Sequence, residues 1–233
     1  MENAVRLLST LALKGAMTSL AGAFEARSGF AISADFAPTL NLLERLKKGE
    51  SADVVILTKE GLSTLVAQGQ VVASTAVDLA RSWVGVAVKA GQPHPDITTE
   101  NALRTTLLAA RSVAYSRLGA SGIYFAQLIA KLGIADQVNA RATIVPIGLT
   151  AERLLTGEAD LAIQQISELK QVAGTEIVGP VPLHLQTPAI FSAGRLSTAT
   201  KANEANSLLE FLAAPEAGPA LLESGLESMV EGR

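Results

Sequence analysis

The sequence contains no cysteine and only two histidines, His94 and His184, in 233 residues. The absence of cysteine excludes disulfides and thiolate chemistry, and two histidines are too few for a histidine-based metal cluster. No serine lies in a G-x-S-x-G motif, the usual turn of α/β-hydrolases. We therefore expect neither a metal nor another cofactor.

Neither sign of charge dominates the chain, which has a net charge of −3 with scattered Lys and Arg residues. This pattern argues against a nucleic-acid partner. No run approaches the roughly 18 to 20 consecutive apolar residues of a membrane span, so no span is expected. With 48% apolar and 18% charged residues, the chain has a globular composition, and its length suits one large domain or two lobes.

The first ten residues, MENAVRLLST, lack the basic and apolar segments and the cleavage site of a signal peptide. The run AVRLLS is already typical of a core strand. Localisation therefore stays open at this stage: we expect a cytoplasmic protein if Met1 is the natural start, and a periplasmic one if a leader has been removed.

Short β-rich runs alternate with helical patterns along the chain, and the alternation begins again at SWVGVAVKAG. The pattern predicts an α/β fold with mainly parallel sheets. Two final helices have no strands of their own, so we expect them to cover the first lobe. The predicted lobes are residues 1–80 with 190–233, and residues 81–189, with two hinge crossovers and a ligand cleft between the lobes.

Glycine and small hydroxyl residues are concentrated at four strand-to-helix junctions. In an open α/β sheet, such junctions lie at the carboxyl ends of strands, where ligands bind. Each presents unpaired N–H groups and the positive end of a helix dipole, although each taken alone is also explained by ordinary N-capping. Together they predict an anion site formed by Ser9-Thr10, Pro38-Thr39, Gly119-Ala120-Ser121-Gly122 and Gly148-Leu149-Thr150.

Four segments carry a resemblance to a known family. They are residues 5–58 from VRLLST to VVILT, the predicted crossover ARSWVGVAVKAGQP, the segment RLGASGIYFAQLIAKLGI, and LLTGEADLAIQQISEL. Together they resemble the molybdate-type extracellular solute-binding proteins over nearly the whole chain. The resemblance implies a type II periplasmic-binding-protein fold, in which main-chain amides and hydroxyls hold an oxyanion.

The resemblance also implies where the ligand contacts fall: on Ser9 and Thr39, at Ala120–Ser121, and at Gly148–Leu149. Two residues depart from the family pattern. Gln165 stands where the family has a tyrosine, and Arg117 adds a guanidinium, which favours planar carboxylates. The run from IQQISEL to FSAG is more similar to the organic-acid branch of the family, which includes aconitate isomerase.

Two functions follow from these observations. The first is binding of a di- or tricarboxylate as the solute receptor of an ABC transporter, whose permease is an expected partner if the protein is exported. Molybdate or tungstate binding and a ligand-sensing domain are further alternatives. The expected ligand-binding residues are Ser9, Thr10, Thr39, Arg117, Ala120, Ser121, Gly122, Gly148, Leu149, Thr150 and Gln165.

The other function is a cofactor-free isomerase that moves the double bond of an unsaturated tricarboxylate by allylic proton transfer. This reaction needs a general base and electrostatic stabilisation of a carbanion, which helix N-termini supply. The candidate bases are Glu168 and Tyr124, with His184 as a weaker one.

Overall fold

The computed structural model of the protein describes residues 4–229. Its strands, in chain order, are β1 Ala4–Ser9, β2 Ala31–Phe36, β3 Val54–Thr58, β4 Val77–Ser82, β5 Val84–Lys89, β6 Val113–Tyr115, β7 Thr143–Ile144, β8 Leu161–Gln165, β9 Thr175–Pro180, β10 Ala189–Arg195 and β11 Glu227–Ser228. Its α-helices are α1 Lys14–Ser28, α2 Thr39–Lys47, α3 Lys59–Ala67, α4 Glu100–Ala109, α5 Ala120–Lys131, α6 Ala135–Asn139, α7 Glu152–Leu155, α8 Ile166–Leu169, α9 Ala202–Leu212 and α10 Gly218–Glu223.

The described chain divides into two compact units. Unit 1 comprises the residues up to 81 and those from 189 on, and unit 2 comprises residues 82–188. Each unit contains one sheet with helices packed on it. None of the helices within residues 4–229 combines the length and the apolar character needed to cross a bilayer.

The sheet of unit 1 has the strand order β11-β4-β10-β3-β1-β2. Strand β1 runs parallel to both β2 and β3, and Ser9 lies opposite Phe36 on one side and Ile56 on the other. Because parallel strands end at the same edge of a sheet, the turns after β1, β2 and β3 lie close together. Strand β10 is antiparallel to β3, and β11 is antiparallel to β4.

Both faces of this sheet are covered by helices. On one face, Leu7 packs in a buried cluster with Phe24 of α1 and Phe211 of α9. On the other face, Leu8 packs with Leu62 of α3. Successive side chains of a strand point to opposite faces, so β1 serves both clusters. The two C-terminal helices thus pack within unit 1.

The sheet of unit 2 has the order β7-β6-β8-β5-β9, in which β6 is parallel to β7 and β8, while β5 is antiparallel to β8 and β9. The predicted α/β class is confirmed, but both sheets are mixed. Antiparallel pairs need no helical crossover, so the alternation of strands and helices does not reveal them. Strand β9 is not apparent from the sequence, because Gly179 and Pro180 are uncommon in strand interiors.

Candidate functional site

The carboxyl edge of the unit 1 sheet brings together Ser9 and Thr10, both of which are buried. The Thr10 N–H donates to the Ile56 carbonyl at 3.0 Å, and the Ala37 N–H donates to the Ser9 carbonyl at 3.1 Å. These bonds hold the carboxyl ends of β1, β2 and β3 close together. The buried Thr10 hydroxyl has no hydrogen-bond partner in the described chain, which is uncommon for a buried polar group and leaves it free for a ligand atom.

Thr39, the first residue of α2, lies at the same edge. Its Oγ1 accepts a hydrogen bond from the Thr58 N–H at 3.1 Å, and Thr58 Oγ1 in turn accepts from the Gly61 N–H and caps α3. A Cβ on Gly61 would lie 2.6 Å from Thr39 Cγ2, so only glycine allows this approach. The N-termini of α2 and α3 are therefore neighbours, and the Thr39 hydroxyl keeps its own proton to donate.

In unit 2, the carboxyl ends of β6, β7 and β8 share one edge, and the turn after β6 leads into α5. Ser116 shapes this turn, because its Oγ accepts from the N–H groups of Leu118 and Gly119 at 3.2 and 3.3 Å. The next two N–H groups, those of Ala120 and Ser121, have no hydrogen-bond acceptor within residues 4–229. They form an unpaired helix N-terminus of the kind that binds anions.

Arg117 lies in the same turn and is exposed; its guanidinium makes no ion pair or hydrogen bond in the part of the chain that the structure describes. Gly122 has a packing role: a Cβ there would lie 1.6 Å from the Ser116 carbonyl oxygen. The second glycine of the motif thus lets α5 start directly against the preceding turn. Whether Gly122 also contacts a ligand stays a prediction.

The turn at 148–150 is held by Gln164, a residue that the sequence analysis missed. Gln164 Oε1 accepts from the Thr150 N–H at 2.7 Å and from its hydroxyl at 3.0 Å, while Nε2 donates to the Gly148 carbonyl at 3.1 Å. The Thr150 donors are thus engaged inside the protein. The Leu149 N–H has no acceptor within residues 4–229 and is the donor that this turn offers. Two adjacent glutamines ending a buried strand were the available signal.

Glu168 is buried in α8, directly after β8, where its Oε2 accepts from the Gln165 N–H at 3.3 Å. Burial raises the pKa of Glu168 to about 7. Hydrogen bonds from the Gln165 backbone and the Gln164 side chain lower this pKa, but the effect of burial is larger. A carboxyl group with a pKa near neutrality is suited to proton transfer. Gln165 itself is buried at the end of β8.

The two other candidate bases are placed differently. The Tyr124 hydroxyl donates to the Leu185 carbonyl at 3.1 Å, and burial raises the pKa of Tyr124 to about 12. This hydroxyl is therefore protonated at neutral pH and already bonded. His184 is exposed in a short 3-10 turn. Of the three groups, Glu168 is the buried carboxyl whose pKa is raised toward neutrality, where a general base works best.

A cavity of about 470 Å³ lies at the opposite edge of the unit 2 sheet, beside Val88 and Leu161. Its wall includes Arg111, which is paired with Asp160 at 2.9 Å. None of the predicted ligand-binding residues lines this cavity, so it is separate from the site described here. Residues 4–229 contain no group of three or more acidic or histidine side chains that could hold a metal ion.

Comparison with known proteins gives the family. Residues 5–227 match the family model for bacterial extracellular solute-binding proteins. An aconitate isomerase from Pseudomonas sp. is 35% identical over 227 residues, which cover 95% of this chain and 86% of that protein.

Solved structures share the fold at low sequence identity. The periplasmic molybdate-binding protein of Azotobacter vinelandii has a TM-score of 0.81 and 18% identity, covering 95% of this chain and 98% of its own. The sulfate-binding protein of Mycobacterium tuberculosis has a TM-score of 0.75 and 16% identity, and the match covers 97% of this chain and 87% of that protein. The fold and the sequence match together show that the chain belongs to the bacterial extracellular solute-binding proteins, with a periplasmic-binding-protein fold of the molybdate-binding type.

Proposed function

We propose that the protein binds a small di- or tricarboxylate through groups at the carboxyl edges of its two sheets. The observation that carries the proposal is the start of α5, where the unpaired N–H groups of Ala120 and Ser121 adjoin the unpaired guanidinium of Arg117. Helix N-termini bind anions, and a guanidinium matches a carboxylate with two parallel hydrogen bonds.

Two further observations favour a carboxylate over a tetrahedral oxyanion. Gln165 stands where the resemblance places a tyrosine contact for molybdate. The relative that is 35% identical is an aconitate isomerase, and aconitate is an unsaturated tricarboxylate. The molybdate- and sulfate-binding structures are below 20% identical and therefore support the fold without specifying the ligand.

Calorimetric titration with citrate, cis-aconitate, trans-aconitate, molybdate and sulfate tests the proposal. We expect a tricarboxylate to bind. Arg117→Ala should weaken its binding by about 1.5–3 kcal/mol, which lowers the affinity roughly ten- to more than one-hundred-fold. The matched control is Arg111→Ala, which removes the same charge at the opposite edge of the same sheet and should leave the affinity unchanged. Binding of molybdate alone would overturn the carboxylate assignment.

A second candidate function is isomerisation of an unsaturated tricarboxylate, and the buried carboxyl of Glu168 is the observation that favours it. Ionised Glu168 would remove an allylic proton, and the electron pair would spread over the allyl system and its carboxylate. The α5 N–H groups and Arg117 would stabilise this negative charge. Return of the proton at the other end of the allyl system shifts the double bond without any cofactor.

Nuclear magnetic resonance separates the two functions. For an isomerase, trans-aconitate in D2O gives the cis isomer carrying deuterium, and the rate rises with pH as Glu168 ionises near pH 7. Glu168→Gln should abolish turnover and keep binding, whereas Glu176→Gln, an exposed acid on β9, should change neither. If an equimolar amount of protein converts none of the trans-aconitate, the isomerase function is refuted and the binding function remains.

A further inference from the structure

Gln164 is a buried side chain whose amide is fully engaged inside unit 2. Its Oε1 accepts from the Thr150 N–H at 2.7 Å and from the Thr150 hydroxyl at 3.0 Å. Its Nε2 donates to the Gly148 carbonyl at 3.1 Å and also to the Glu168 side chain. A primary amide has two N–H donors and two acceptor lone pairs, so Gln164 has no group left to contact a ligand.

The orientation of this amide follows from its backbone partners. A backbone N–H can only donate and a carbonyl can only accept, so Oε1 must face Thr150 and Nε2 must face Gly148. Because Gln164 is buried, the Gly148 carbonyl is held toward the interior of unit 2.

The direction of the Gly148 carbonyl fixes the direction of the Leu149 N–H. These two groups belong to one peptide unit, which is trans because the described residues contain no cis peptide bond. In a trans peptide unit, the C=O and the N–H point in opposite directions. The Leu149 N–H, which has no acceptor within residues 4–229, therefore points away from Gln164.

The opposite arrangement of this peptide unit would reverse the charge that the turn presents. Gly148 has a φ of 108°, a left-handed conformation that residues with a Cβ rarely adopt, and a glycine lets the adjoining peptide unit rotate at low cost. Rotation by half a turn would place the Gly148 carbonyl oxygen where the Leu149 N–H now lies. A carbonyl oxygen is only an acceptor, so the turn would then repel an anion instead of donating to it.

We propose that Gln164 is a positioning residue that makes the 148–150 turn selective for anions, because its amide keeps the Leu149 N–H directed out of the turn. This inference rests on the proposed function, in which the turn donates to a carboxylate of the ligand. Gln164 acts through the Gly148–Leu149 peptide unit and does not touch the ligand itself.

Amide-resolved NMR and calorimetry test this role with citrate, or with whichever anion of the calorimetric series the wild type binds. Gln164→Met keeps the length of the side chain and removes its amide, so the affinity should fall about tenfold or more. The wild-type Leu149 amide signal should shift when the anion saturates the protein, and in Gln164→Met it should not. The Ala120 and Ser121 amide signals should still shift in the variant, which a general loss of structure would not allow.

Two more variants complete the experiment. In Gly148→Ala the new Cβ has open space around it, but the left-handed φ is disfavoured, so the Leu149 response should be lost here as well. The matched control is Gln171→Met, which removes another amide-to-carbonyl hydrogen bond of unit 2, to Ser167 at 3.0 Å. It should change the affinity by less than about twofold, because this bond is not made to the turn.

The outcomes distinguish the role of Gln164 from the proposed function. If the wild type binds none of the anions, both fail. If it binds molybdate or sulfate alone, the carboxylate assignment fails, and the same signals measured with that anion decide the role of Gln164. If the Leu149 signal does not shift in the wild type, or shifts equally in Gln164→Met, the role of Gln164 is refuted. Should Gln164→Met not fold, an unchanged Leu149 response in Gly148→Ala refutes it instead.

Discussion

Replacing Gly122 by alanine should damage the protein far more than replacing Gly119, although both glycines flank the same serine. A Cβ at position 122 would lie 1.6 Å from the Ser116 carbonyl oxygen. Ordinary carbon–oxygen contacts are about 3.3 Å or longer, so the backbone must separate by nearly 2 Å. At position 119, the nearest atom to a new Cβ is Ser116 Oγ at 3.8 Å, which is normal contact.

The cost follows from what the displaced turn loses. Overpacking costs about 1–3 kcal/mol, and moving Ser116 breaks its two long hydrogen bonds to Leu118 and Gly119, which are worth about 0.5 kcal/mol each. We therefore expect Gly122→Ala to lower the free energy of unfolding by about 2–4 kcal/mol. For a chain of this size, that is a fall of about 4–16 °C in Tm.

Thermal unfolding of both variants measures the difference, and titration with a tricarboxylate measures its effect on the site. Gly122→Ala should also weaken binding, because α5 can no longer start against the turn that positions Ala120 and Ser121. Gly119→Ala, whose backbone φ is −81°, should stay close to the wild type in both measurements. Equal Tm values for the two variants would refute the close-approach argument.

Three further predictions concern single side chains. The pKa of Glu168 is raised from 4.5 to about 7, so between these pH values the folded protein keeps a proton that the unfolded chain releases. The contribution of Glu168 to the free energy of unfolding is fully present below pH 4.5. It is lost, at a cost of about 3 kcal/mol, as the pH rises through 7. Urea unfolding at pH 5 and 8 should show this fall in the wild type and not in Glu168→Gln. Tyr124→Phe should cost about 1 kcal/mol in the same assay through the lost bond to Leu185, and should leave ligand affinity within twofold; a large loss of affinity would place the hydroxyl in the site. Thr39→Val leaves the Thr58 N–H without its acceptor and should lower stability by about 1–3 kcal/mol, whereas Thr39→Ser keeps the acceptor and should not.

Much of the local structure was predictable because it depends on neighbouring residues. The segment RLGASGIYFAQLIAKLGI has small residues followed by apolar residues at helical spacing, a pattern that indicates a helix, and the structure has a helix there at Ala120–Lys131. The continuous apolar run in ADVVILT is typical of a buried strand, and the structure has β3 there. The fold class and the family resemblance are likewise confirmed.

The environment of the site residues was not predictable in this way. From the sequence alone, Glu168 is equally compatible with a solvent-exposed carboxylate after a strand. In the structure, Glu168 lies in α8, directly after β8, and is buried. Two adjacent glutamines end the buried strand β8, but the partners of Gln164, which are Gly148 and Thr150, come from a turn that only the folded sheet brings beside it.

The sequence by itself therefore determined the order of helices and strands, the small residues at their junctions and the membership of a family, because these depend on local patterns and on residue identity. Only the tertiary structure decided which charges are paired. Lys59, Asp78 and Ser192 meet across strands β3, β4 and β10, and Asp78 and Ser192 are 114 positions apart in the chain. No local pattern encodes that order of strands, so these contacts appear only once the sheet has formed.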